Sequence, residues 1–190
     1  MTWSGFRSDD VSLRPFSPDD APVLEAYLNQ PDLEGRRYIP WSFPEYAPLS
    51  TQQVEAILQK WGQAEDELHL AVIHRETGDL IGHADCEWEW DPHNPSVSVV
   101  IDPGHQRQGL GSQVLRLLLN YLLEQTPAHN ITAWIASWNT AALAFAARHG
   151  FQQAGRMRRA GIRHGAYFDT MILDMLRSEW QPEGGGTDAS

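Results

Sequence analysis

The spacing of apolar positions along this chain switches between every second residue and every third or fourth, and the switches mark out its elements. Val11-Ser-Leu-Arg14 alternates as a short strand, broken by Pro15 to Pro18. Asp19-Asp20 then stand at the head of a helix with apolar positions Val23, Leu24, Tyr27 and Leu28. The stretch Asn29 to Leu49 holds four prolines and the aromatics Tyr38, Trp41, Phe43 and Tyr46 without a sustained period, which predicts a long loop. Ser50 or Thr51 caps a helix running to about Gln63, with Val54, Ile57, Leu58 and Trp61 on one face.

Two strands follow, Leu68 to His74 and Leu80 to Trp90, separated by the turn Glu76-Thr-Gly-Asp79. In the second, strict alternation sets Leu80, Gly82, Ala84, Cys86, Trp88 and Trp90 on one face and Ile81, His83, Asp85, Glu87 and Glu89 on the other. One face is therefore largely ionisable. Asp91-Pro-His-Asn-Pro95 turns the chain into a strand from Ser96 to Ile101. A helix from Ser112 to about Leu123 is apolar nearly all round and predicts burial against a sheet. Ile131 to Ala136 reads as a strand, and Asn139 to His149 as a helix stopped by Gly150. Phe151 to Arg159 and Ala166 to Leu176 read as a last strand pair. The order β-α-α-β-β-β-α-β-α-β-β predicts a mixed α/β sheet with helices on both faces. Residues 1–180 read as one domain and 181–190, without apolar anchors, as a tail.

At 190 residues with 42% hydrophobic and 21% charged positions, the chain is long enough for one globular core. Its net charge of −11 argues against nucleic acid and anionic membrane as partners, since both need basic patches. The field favours cationic or amine-bearing partners instead. A single cysteine, Cys86, precludes an intrachain disulfide and a thiolate zinc site, and the eight histidines show no HExxH spacing, so no metal is expected. No apolar run reaches membrane-span length, which gives a soluble, cytoplasmic protein as the expectation.

The most specific segment is Ile101-Asp-Pro-Gly-His-Gln106-Arg-Gln-Gly109-Leu-Gly111-Ser112, between a strand and a helix. Glycines there bring backbone N–H groups close to a ligand, and the head of the following helix favours an anion such as a pyrophosphate. Two familiar templates fail. Gly104 and Gly109 have P-loop spacing, but Leu110-Gly111 stands where Lys-Ser/Thr is required. Gly109-x-Gly111 begins a dinucleotide fingerprint, but Val114 occupies the third glycine position.

Gln106-x-x-Gly109-x-Gly111 resembles the Q/R-x-x-G-x-G/A signature of the GNAT superfamily of acyl-CoA-dependent N-acetyltransferases. Asn139-x-x-Ala142 and Arg148-His-Gly-Phe151 are similar to that family's second motif. Arg14-Pro-Phe and His164-Gly-Ala-Tyr167-Phe-Asp169 resemble the opening and closing segments of its ribosomal-protein N-terminal and phosphinothricin-type members. The resemblance implies the GNAT fold, a mixed, mostly antiparallel sheet with splayed central strands. It implies acetyl-CoA as co-substrate, an amine acceptor on a small molecule or a protein N-terminus, and allows a homodimer. Val99, Val100 and Ile101 would line the pantetheine arm through their backbone, Gln106, Arg107, Gln108, Gly109, Leu110, Gly111 and Ser112 would hold the pyrophosphate, and Asn139 would contact the cofactor or cap its helix.

Acetyl transfer needs a neutral amine, so a base must remove a proton from an ammonium whose reference pKa is about 10.4. Family members often carry a Glu where this chain has Ser96, which shifts the expectation to Glu87 and Glu89 on the preceding strand. A hairpin centred near Pro92 or His93 would put Glu89 opposite Ser96 or Val97. The thiol-protonating Tyr of many members corresponds to Ala146, leaving Tyr167 or Ser137 as substitutes. Tyr38, Asp85 and Trp88 are candidates for the acceptor pocket, with Trp41 and Trp90 as further wall residues. Arg156, Arg158, Arg159 and Arg163 form a basic cluster that reads as a solvated strand face paired with acids, or as a contact for the cofactor's ribose phosphate or for an acidic substrate. A GNAT-fold module that binds CoA without turnover, and a nucleotide-binding switch, are the alternatives.

Overall fold

The computed structural model describes residues 5–30, 48–88 and 91–181. Its seven strands form one sheet in the order β1-β2-β3-β4-β5-β7-β6. They are β1 Val11–Pro15, β2 Glu67–His74, β3 Leu80–Glu87, β4 Ser96–Ile101, β5 Asn130–Ala136, β6 Gln152–Arg163 and β7 Ala166–Leu176. The helices are α1 Ala21–Leu28, α2 Thr51–Trp61, α3 Leu110–Gln125 and α4 Thr140–Arg148. Every pairing is antiparallel except β4 with β5.

The helix ends follow from local chemistry. Ser50 caps α2 in a capping box with Gln53, the Ser50 hydroxyl accepting the Gln53 N–H. Asn139 caps α4, its Oδ1 accepting the Ala142 N–H at 3.0 Å. Gly150 follows α4 at φ +90°, a left-handed position that suits a residue without Cβ.

Two cores cover the two faces. The larger packs α3, through Val114, Leu118, Leu119 and Leu122, against Leu70, Val72, Ala84, Cys86, Val97 and Ile131. The smaller joins α1 and α2 through Leu24, Tyr27, Leu28, Val54, Ile57 and Trp61. Val23, expected on the apolar face of α1, is instead 45% exposed, and Ala21 takes its place inside. The buried strand face is not the clean alternation that the sequence predicts. The β2–β3 register shifts at Val72/Ile73, so that Ile73 faces Leu80 while Val72 faces Gly82. The extra residue on β3 turns the faces over. Leu80 packs beside the α1–α2 core and Ile81 lies in the larger one, the reverse of the expected assignment.

β3 also ends earlier than expected. It stops at Glu87, and the Trp88 N–H goes to Asp66 O at 2.8 Å. Glu87 pairs with Ser96, so the hairpin centre falls between Asp91 and Pro92. This corrects the placement of Glu89 opposite Ser96 or Val97; Glu89 and Trp90 lie outside the described residues, as do Tyr38, Trp41, Phe43 and Tyr46.

Candidate active site

β4 and β5 run parallel but pair only at Ser96 and Thr132, with the Thr132 N–H donated to Pro95 O at 2.9 Å. Beyond that point the strands part. The Asp102 N–H bonds Ile81 O at 2.7 Å, and antiparallel ladders alternate, so Ser98 and Val100 direct their backbone groups at β3 while those of Val99 and Ile101 face the gap. Gln106 closes one of these positions, its Nε2 donating to Ile101 O at 2.8 Å.

The glycine loop ends at the same gap. Arg107 at φ +62° and Gly109 at φ +82° are both left-handed, turning the chain so that α3 starts at Leu110. The first N–H groups of a helix have no acceptor within it, and Leu110 and Gly111 supply two of them here. A Cβ placed on Gly109 would meet nothing within 4 Å, so the space beside the head of α3 is open there. Leu110 is buried, Gln108 bonds Gly104 O at 3.3 Å, and Ser112 Oγ meets His149 Nε2 at 3.0 Å, joining α3 to α4. Asn139 spends its carbonyl oxygen on the α4 cap.

The opposite face of the gap, toward α1 and α2, carries the ionisable residues. Asp85, 2% exposed, accepts Ser98 Oγ at 2.8 Å and lies 2.6 Å from His69 Nδ1. His69 Nε2 is 2.7 Å from Glu67 Oε2, and its ring stacks on Trp61 with centroids 4.5 Å apart. His83, 1% exposed, stands with Nε2 3.5 Å from Asp85 Oδ2 and receives the Tyr27 hydroxyl at Nδ1. Burial disfavours the charged form of His69, but the bonds to Asp85 and Glu67 outweigh it and raise its pKa. Burial lowers the His83 pKa despite the nearby Asp85, leaving a neutral ring. Burial, with Asp85 and Asp102 adding to it, holds the Tyr27 phenol well above its ordinary value.

Asp85 thus touches β4 through the Ser98 hydroxyl, and Glu87 pairs with Ser96 at the end of β3. Trp88 packs against the larger core. Tyr167 sits in the β6–β7 hairpin, 64% exposed, with the Arg159 guanidinium 5.3 Å from its ring centre. The basic cluster is largely occupied: Arg156 and the Arg159 N–H both bind Asp169, and Arg163 covers the Trp138 ring at 3.5 Å. Tyr27, His69 and His83 were not legible as site residues. Only His83 carries a sequence signal, its place on the ionisable face of β3; Tyr27 reads as an apolar position of α1, and the bulge decides that His69 of β2 meets Asp85.

A family profile described as an acetyltransferase (GNAT) domain matches residues 10–152. The chain belongs to the GNAT acetyltransferases. Members use acetyl-CoA, and this chain is accordingly an acyl-CoA-dependent acetyltransferase. Among curated relatives, the SPbeta prophage-derived uncharacterized N-acetyltransferase YokL of Bacillus subtilis is 21% identical over 94% of this chain and 95% of its own. An L-methionine sulfoximine/L-methionine sulfone acetyltransferase of Salmonella typhimurium is 27% identical over 63% of this chain and 72% of its own. Among solved structures, a GNAT-family acetyltransferase from Bacillus anthracis superposes with a TM-score of 0.77 at 18% identity, covering 92% of this chain and 99% of that one. The spermidine N-acetyltransferase SpeG of Vibrio cholerae superposes with a TM-score of 0.73 at 20% identity, covering 90% and 96%. The gap between β4 and β5 and the glycine loop are thus features of a GNAT acetyltransferase. Among the described residues no group of three His, Cys, Asp or Glu could hold a metal ion, and no helix is long and apolar enough to cross a membrane.

Proposed function

We propose that this acetyltransferase acts on the primary amine of a small cationic molecule, a protein N-terminus being the other acceptor of the same chemistry. The observation that carries this reading is the parting of β4 from β5 beside the glycine loop, with acidic residues on one wall. The backbone groups of Val99 and Ile101 suit strand-like pairing with an extended amide-bearing arm. The amides from Arg107 to Ser112 suit a pyrophosphate. When bound there, acetyl-CoA supplies an activated thioester.

The chain's own residues do the rest. Glu87, opposite Ser96 at the edge of the gap, removes the ammonium proton, directly or through water. Asp85 and Glu67 add negative charge on the same wall, which favours a cation over an anion. Ala146 is buried in α4 and offers no proton, but a thiol of reference pKa about 8.5 leaves without a dedicated acid. Tyr167, exposed in the β6–β7 hairpin, takes no part in the transfer. That SpeG acts on spermidine and the Salmonella relative on amino-acid analogues supports an amine as the acceptor class.

The test follows free thiol release from acetyl-CoA across a panel of polyamines, amino-acid amines and N-terminal peptides. The reading predicts release with a cationic amine, lowered in Glu87→Gln by about 10²- to 10⁴-fold. Release confined to anionic amines, or none with any amine, contradicts it.

A further inference from the structure

The polar cluster beneath the acidic wall is larger than a base at Glu87 requires. Asp85 draws on three strands: Oδ1 lies 2.6 Å from His69 Nδ1 of β2, and Oδ2 lies 2.8 Å from Ser98 Oγ of β4 and 3.5 Å from His83 Nε2 of β3. Both nitrogens of His69 face carboxylate oxygens, which can only accept, so both carry protons. His83 has Nε2 toward Asp85 and takes the Tyr27 hydroxyl at Nδ1, which fixes its tautomer. Burying such a cluster is costly unless each member is satisfied, and here each one is.

Ser98 is where this cluster comes closest to the gap. It is the member on β4, it lies past the single pairing of β4 with β5, and it is half-buried while Asp85 and His83 are closed off. A serine hydroxyl has one proton and two lone pairs. With the proton given to Asp85, the oxygen has only lone pairs to offer, polarised by the carboxylate behind it. Its complement is an N–H donor.

We propose that Ser98 Oγ accepts an N–H of the acceptor amine and so turns the amine's remaining lone pair toward the gap between β4 and β5, with Asp85, held by His69 and His83, as the positioning residue that keeps the Ser98 proton directed inward. The proposal rests on the amine-acetylation reading above and deepens it. Ser98 forms and breaks a hydrogen bond only; removal of the proton remains with Glu87, and no covalent bond to Ser98 is made. A threonine would serve, an alanine would not.

Ser98→Ala, Ser98→Thr and Asp85→Asn are compared in steady-state kinetics with the best amine of the panel and in calorimetric titration with acetyl-CoA. Ser98→Ala should lower kcat/KM for the amine by about tenfold or more, the size of one hydrogen bond to a polarised partner, with acetyl-CoA affinity unchanged. Ser98→Thr should restore most of the loss. In ¹⁵N-histidine spectra of the free protein, His69 should be doubly protonated at neutral pH and should lose that signature in Asp85→Asn, a readout that needs neither turnover nor ligand. Equal amine kinetics in wild type and Ser98→Ala overturn the proposal, as does equal loss of amine kinetics and acetyl-CoA affinity, which would make Ser98 a wall of the gap only. A doubly protonated His69 that persists in Asp85→Asn removes the positioning role. A wild-type protein that releases no thiol with any amine overturns the amine reading itself, and this proposal with it.

Discussion

Replacing Tyr27 by Phe removes one oxygen from the interior and leaves the His83 ring without its donor at Nδ1. The site cannot recover the loss from solvent, because Tyr27 is 4% and His83 1% exposed. The Phe ring fills the same space, so no cavity opens and the effect isolates the hydrogen bond. An unpartnered buried acceptor costs about 1–3 kcal/mol. For a chain of this length each kcal/mol moves Tm by roughly 2–4 °C, so Tyr27→Phe should melt roughly 2–12 °C below wild type. Urea unfolding at neutral pH, followed by tryptophan fluorescence and by circular dichroism, gives the free energy directly. A loss below about 0.5 kcal/mol, the scatter of an ordinary surface change, would refute the argument that Tyr27 donates to a neutral, closed-off His83.

Two further outcomes follow from the same geometry. The folded-state pKa of His69 is raised above the ordinary 6.5, so the folded chain holds that proton more tightly than the unfolded one. The stability that His69 contributes is therefore fully present below about pH 6.5 and is lost as pH rises through its folded pKa. The advantage of wild type over His69→Gln in urea should shrink as the buffer is raised from pH 6, and an advantage that grew would reverse the sign; His83, lowered by burial first and by His69 in part, acts the opposite way and weakens the trend without reversing it. Asn139→Ala should cost about 0.5–2 kcal/mol through loss of the α4 cap, measured by the same unfolding curves.

Much of this architecture was legible because its signals are local. A cap at Ser50 or Thr51, of which Ser50 is the one used, Asn139 before α4, Gly150 after it, and the glycine loop before α3 each act within a few residues, and the order of strands and helices follows from them. The site was less legible because it is made across strands. His69 meets Asp85 only because β3 carries one extra residue beside Val72; in an unbroken hairpin the ladder would set Ala84 opposite His69. The same shift moved Leu80 and Ile81 to unexpected faces. Glu87 is a candidate from its face of β3, but its partner Ser96 depends on the turn centre, which falls between Asp91 and Pro92. Tyr27 read as an apolar position of α1, and nothing within the helix marks its hydroxyl as the donor to a residue far along the chain.

The central claim is that the parted strands and the glycine loop hold acetyl-CoA. The most direct measurement is calorimetric titration of the protein with acetyl-CoA, alongside Gly109→Trp, whose ring would occupy the open side of a residue held at φ +82°. A folded Gly109→Trp variant, checked by circular dichroism, is required because a non-glycine residue there carries about 1–2 kcal/mol of backbone strain. Binding near micromolar in wild type, about −8 kcal/mol, and lost in the folded variant is the predicted result. No binding in wild type, or equal binding in the two proteins, would contradict it.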